Sequence, residues 1–112
     1  MSSTQVGHPR ATIATGGTTV QVNLGKNALC GVYVPDTFNG ATLDFAHVFG
    51  GVTYPVRDID GNAIQISGIA SLPGFYALNP ADFPCVEELL ITAGATQTTT
   101  PTALILLTRD VD

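Results

Sequence analysis

Apolar and polar residues alternate along this chain in short runs, each closed by Gly, Pro, Asn or Asp. Val20, Val22 and Leu24 share one side of an extended segment, with Thr19, Gln21 and Asn23 opposite. Leu43, Phe45, His47 and Phe49 repeat the pattern against Thr42 and Asp44, and Ile64 and Ile66 against Gln65 and Ser67. Successive side chains of a strand point to opposite faces, so one-sided alternation marks a strand packed on a second sheet. The runs predict strands at about 11–15, 18–24, 29–35, 41–49, 52–57, 62–69, 74–79, 86–93 and 102–110. The first is a short edge strand, so the count is eight or nine. Leu104 to Leu107 is apolar on both faces, which requires either a central strand or an outer face covered by the N-terminal arm or a neighbour.

Turn chemistry supports the same reading. Asp60-Gly61 between two β-rich runs is a strong hairpin signal. The one helical candidate is a single turn, Pro80-Ala81-Asp82-Phe83, with Asn79 as cap and Pro at the first helical position. Many short strands at about ten-residue spacing predict an all-β antiparallel β-sandwich of about eight strands, of jelly-roll type. Residues 1–10 are polar, with Gly7 and Pro9 and no periodicity, and read as a flexible, extended N-terminal arm. Residues 11–112 read as a single sandwich domain.

Composition narrows the functional classes. Charged residues make up only 12% of the 112, against about 25% in ordinary domains. Either the surface is rich in hydroxyls and amides, or a partner covers much of it. The net charge of −5 rests on four Lys and Arg, too few for a phosphate-binding patch. Nucleic acid and anionic membrane surfaces are therefore not expected partners. The longest apolar run, Ala103 to Leu107, is far short of a membrane span. The first residues hold no apolar signal core, so folding in a cytoplasm is expected. Cys30 and Cys85 are expected as free, core-packed thiols, with a disulfide arithmetically open.

Candidate chemistry is sparse. Asp58, Asp60, Gly61 and Asn62 superficially suggest a calcium loop, but position 12 of such a loop falls on Ile69, which cannot ligate. A hairpin turn is the better account. Glu87 and Glu88 are adjacent in a strand and point apart. His8 lies in the arm, and His47 is in register with Phe45 and Phe49, as a part-buried side chain. No spacing suits zinc and no glycine-rich motif suits a nucleotide, so no catalytic residue, cofactor or metal is expected. Tyr33 and Tyr76 suit a core or corner role, or a sugar platform. The threonine-rich stretch 94–101 reads as a long hairpin loop or as a contact loop at one end of the sandwich.

Four segments together resemble a known family. They are Ala41-Thr-Leu-Asp-Phe45 after Gly40, Tyr54-Pro-Val-Arg-Asp-Ile-Asp-Gly-Asn62, Phe75-Tyr-Ala-Leu-Asn-Pro-Ala-Asp-Phe83, and Leu104-Ile-Leu-Leu-Thr-Arg109. In this order they resemble small all-β virion structural domains of tailed bacteriophages, over roughly residues 28–109. Members carry a G-A-x-L-x-F strand, a D-x-x-G hairpin and a Y-x-L-x-P-x-D-F corner. The chain departs from them at Ala46-His-Val-Phe-Gly-Gly51, where members often show a Ser-x-Asp-Gly turn. The resemblance implies a non-enzymatic virion protein, in first place a capsid decoration (cement) protein bound to the major capsid protein. It implies a homo-oligomer, a trimer first, synthesised in the bacterial host cytoplasm and located in the virion. A tail, baseplate or head–tail connector component is the alternative, and a carbohydrate-binding sandwich in host adsorption a second one. Expected partner contacts are Val6, His8, Pro9 and Arg10 in the arm and Thr98 and Thr99 in the loop. An arm of this kind suits strand addition to a neighbour's sheet edge.

Overall fold

A computed structural model of the chain describes residues 6–83, 86–98 and 100–110. Its strands are β1 (Val6–Gly7), β2 (Arg10–Ile13), β3 (Thr19–Asn23), β4 (Asn27–Val34), β5 (Thr42–Phe49), β6 (Val52–Pro55), β7 (Gln65–Ser67), β8 (Gly74–Ala77), β9 (Glu88–Ala93) and β10 (Thr102–Asp110). Two antiparallel sheets pack as a sandwich. One runs β2–β10–β4–β8, with β1 beside β2 on the same edge of β10; the other runs β3–β9–β5–β6, with β7 beside β6 on the same edge of β5. The ten segments therefore fill eight lanes; each of the nine expected strands is present, those at 52–57 and 62–69 sharing one lane, and β1 is additional.

The alternation works as predicted. Along β9, Leu89, Ile91 and Ala93 are buried while Glu88, Leu90 and Thr92 are half-exposed. From the other sheet, Ile13, Val32, Leu104 and Leu106 meet them across the core. Strand β10 resolves the question raised by its two apolar faces: it is central, with β4 on one edge and β1 and β2 on the other.

The expected arm needs correcting. Val6 pairs with Arg109, Gly7 with Thr108 and Arg10 with Ile105, and the Leu106 N–H donates to the Pro9 carbonyl at 2.8 Å. Residues 6–10 of the expected arm thus form an edge lane of their own chain's sheet, and residues 1–5 lie outside the described residues. Side-chain periodicity does not reveal this, because the edge of β10 is closed by backbone groups, which every residue type supplies.

The Asp-Gly turn closes a short hairpin, as expected: the Asp58 N–H donates to the Asn62 carbonyl at 2.9 Å and the Ile64 N–H to the Val56 carbonyl at 2.8 Å. Asp58 Oδ1 accepts the N–H groups of Asp60 and Asn62, both at 2.9 Å, and Gly61 takes φ of +86°. Arg57 and Ala63 form one bridge. Beyond that, β6 and β7 lie end to end along β5, so residues 56–64 are an excursion from one edge lane. The eight-residue β5 offers an edge long enough for both segments.

The corner follows its sequence. Asn79 Oδ1 accepts the Ala81 N–H at 3.0 Å and caps the 3₁₀ turn Pro80–Asp82. The turn delivers Phe83 into the core, fully buried and edge-on to Phe45 with ring centroids 5.8 Å apart. Tyr76 anchors the preceding loop by donating its hydroxyl to the Leu72 carbonyl.

Gly31, in the centre of β4, lets the Phe75 ring cross its strand. A Cβ there would collide with the Phe75 ring and lie 3.0 Å from the Tyr76 carbonyl. Gly31→Ala is therefore expected to destabilise the fold by about 1–3 kcal/mol. A lower urea midpoint at unchanged m-value checks this; an unchanged midpoint would show that Phe75 moves freely.

Candidate docking surfaces

The outer face of the β2–β10–β4–β8 sheet carries a row of residues in direct register: Arg10, Ile105, Tyr33 and Phe75. At about 4.8 Å between strands the row spans about 14 Å. The Tyr33 and Phe75 rings are 4.7 Å apart at 45°, and each residue is more than two-fifths exposed. The neighbouring row is Leu107, Gly31 and Ala77. Arg109, also exposed, lies two residues beyond Leu107 on β10. Two of the chain's four Lys and Arg residues thus flank one apolar patch. Among the described side chains, no carboxylate lies on these strands.

The outer face of the other sheet has the opposite character. Its strands carry Asp44 and Glu88 and no Lys or Arg. The Gln65 amide donates to Asp44 at 2.6 Å, and Gln21 and Asn23 donate to Glu88 at 3.1 and 2.8 Å. These amide–carboxylate pairs leave a polar, acidic face.

The β5–β6 hairpin overhangs the sandwich. Leu43 and Phe45, on the inner face of β5, are buried, but His47 and Phe49 continue that face beyond the cover of the opposite sheet. Tyr54 pairs with His47 and Val52 with Phe49, so all four share it. Phe49 is 70% exposed, Val52 50% and Tyr54 52%. Residues 45–56 contain no Asp, Glu, Lys or Arg. Next along the chain, Ile59 stands fully exposed at the tip of the 56–64 excursion, between Asp58 and Asp60.

The contact residues expected from sequence separate into two places. Val6 and Pro9 act through their backbones on β10, His8 is an exposed link between β1 and β2, and Arg10 enters the row above. Thr98 lies past the Ile13–Thr102 end of the β2–β10 pair, bonded to Asn39 Oδ1 through both its N–H and its hydroxyl. Thr99 is outside the described residues. The residue that organises this loop, Gln97, is not among the contacts expected from sequence. Its fully buried amide accepts from the Asn39 N–H at 2.9 Å and the Thr102 hydroxyl at 2.7 Å, and donates to the Asn39 and Ala95 carbonyls. A lone amide in a threonine run gives no sequence signal.

Reactive groups are dispersed. Cys30 is half-buried and, among the described residues, without a disulfide partner; burial pushes its thiol up, against the opposing pull of Arg109. Cys85 is outside the described residues. The His47 ring is 6.1 Å from that of Phe49. No three His, Cys, Asp or Glu side chains cluster among the described residues. A half-open pocket of about 230 Å³ lies beside β5, lined by Asp44, Phe45, Ala46, Pro55, Ala63, Ile64 and Thr92. What the geometry provides is contact surface: an apolar patch with arginines along one side and an uncharged aromatic overhang. Comparison with protein-family models, curated proteins and solved structures finds no match for the chain.

Proposed function

We propose that the chain is a non-enzymatic structural protein of a bacteriophage particle, in first place a capsid decoration protein that binds and stabilises the major capsid protein lattice. The observation that carries this reading is the uncharged overhang of Phe49, Val52 and Tyr54, whose inner face the protein's own second sheet leaves bare. Exposed large apolar side chains gathered on one face, rather than scattered singly, mark an interaction site. Aromatic side chains in such a patch carry much of the binding energy.

Two further points support the reading. The strand, hairpin and corner motifs resemble virion domains, and the strand order, read as a jelly-roll winding, is one that viral capsid domains use. Jelly rolls also serve as lectins, but the tyrosines offer that alternative little. None lines the pocket, and Tyr33 and Phe75 are tilted rather than forming a flat platform. A tail, baseplate or connector station requires the same contact physics and remains the second reading.

Phe49→Ser with Tyr54→Ser tests the overhang. Both side chains are largely exposed, so the fold is expected to persist by circular dichroism. Binding to particles lacking the protein is expected to weaken by at least about 30-fold, the loss of one strong aromatic anchor. Unchanged occupancy would remove the overhang as the docking surface.

A further inference from the structure

We propose that the outer face of the β2–β10–β4–β8 sheet receives the Asp58–Ile59–Asp60 loop of a second copy of this chain, head to tail. The two surfaces match in chemistry. The face offers Ile105 and Leu107 between Arg10 and Arg109, with Tyr33 and Phe75 continuing the apolar row on the other side of Ile105. The loop offers one fully exposed aliphatic side chain between two carboxylates. Arg109 is four residues from Ile105, about 13 Å along the strand at about 3.3 Å per residue. The two arginines therefore bracket Ile105 and Leu107 at a separation their long side chains can close around a narrow tip.

The loop is ordered before it docks. Asp58 Oδ1 holds the N–H groups of Asp60 and Asn62, and Arg57 Nη1 donates to the Gly61 carbonyl at 3.0 Å. A preorganised loop loses little entropy on binding. Charge selects the occupant. Copies carrying −5 each repel in most orientations, whereas this one sets half of the chain's cations against carboxylates. Ile59 is fully exposed and the loop leaves the edge of the other sheet, so the contact joins two different surfaces. Such a heterologous contact closes into a ring or extends as a filament. One loop on one row is a small interface, at the weak end of the range. Association is therefore concentration-dependent. The inference is independent of the particle reading, and either stands if the other fails.

Sedimentation of the full chain from about 10 µM to about 1 mM tests it, a range that brackets weak self-association. The weight-average mass is expected to rise above 11.6 kDa, and to rise less at high salt. Arg10→Glu with Arg109→Glu, Asp60→Lys alone, and Ile59→Ser alone are each expected to raise the apparent Kd at least about tenfold. These side chains are exposed and leave the Asp58-held turn intact, and an unchanged urea midpoint verifies folding. Mixing the double arginine variant with Asp60→Lys is expected to restore a two-chain species, because the intact loop of the first can enter the intact face of the second, once only. A wild-type mass that stays at 11.6 kDa, variants that associate like wild type, or a mixture that fails to pair would each overturn the proposal. So would loss of particle binding by the arginine variant from a chain that never self-associates, which would give the face to a different partner.

Discussion

Phe83→Ala lowers the unfolding free energy by about 3–5 kcal/mol, the usual cost of deleting a fully buried aromatic ring. The ring has no solvent exposure and stands edge-on to Phe45 at 83°. It reaches the core from a connection, not from a strand, so no neighbouring strand residue can slide in to replace it. Its N–H is held by the Pro80 carbonyl at 3.1 Å and the turn by the Asn79 cap, so the backbone does not collapse into the vacated space. At about 4 °C or more per kcal/mol for a domain near this size, the melting midpoint falls by at least about 12 °C. Phe83→Leu, which keeps most of the volume, is expected to lose less than half as much. Thermal and urea unfolding of both variants measure this, and a loss below about 1 kcal/mol for alanine would show that the corner repacks.

Gln97→Leu carries the second large effect, about 2–4 kcal/mol. The amide occupies all four of its hydrogen-bonding positions and joins residues 39, 95 and 102. Its backbone also ties in the first turn, accepting from the Gly16 N–H and donating to the Gly17 carbonyl. Leucine fills the space but orphans two donors and two carbonyls, at about 1–3 kcal/mol for each fully buried group. Since Asn39 is only half-buried, water relieves part of the loss, which sets the total below a simple sum. Gln97→Glu sharpens the test. A buried carboxyl facing two carbonyls has a raised folded-state pKa, so the folded form holds its proton more tightly than the unfolded form does. Stability is then lost as pH rises. The Glu variant is expected to be markedly less stable at pH 7 than at pH 4, relative to wild type. A Leu variant within about 0.5 kcal/mol of wild type would show that the clasp is dispensable.

Much of this fold is legible in the sequence because each strand repeats one rule. Leu43-Asp-Phe45 and Val20-Gln-Val22 declare an inner and an outer face, and Gly or Pro ends each run. Asn79-Pro80 declares its own cap. What is illegible rests on groups that carry no pattern. The pairing of residues 6–10 uses backbone donors and acceptors beside a proline. The end-to-end placement of β6 and β7 depends on the length of β5, and the Asp-Gly turn between them reads the same either way. Gln97 looks like any residue of a polar loop. The docking surfaces are legible only in part. Arg10 is among the contacts the sequence suggests, but its row with Ile105, Tyr33 and Phe75 depends on register across four strands, which a single sequence does not state. The overhang of Phe49 and Tyr54 depends on where the opposite sheet ends.

The most direct test of the central claim is the copy number of this protein in purified phage particles, measured by quantitative mass spectrometry against the major capsid protein. A decoration protein is expected at a number set by the capsid lattice, comparable with the capsid protein itself. A small ring's worth of copies would move it to the tail or connector. Absence from purified particles would contradict the assignment as a virion structural protein.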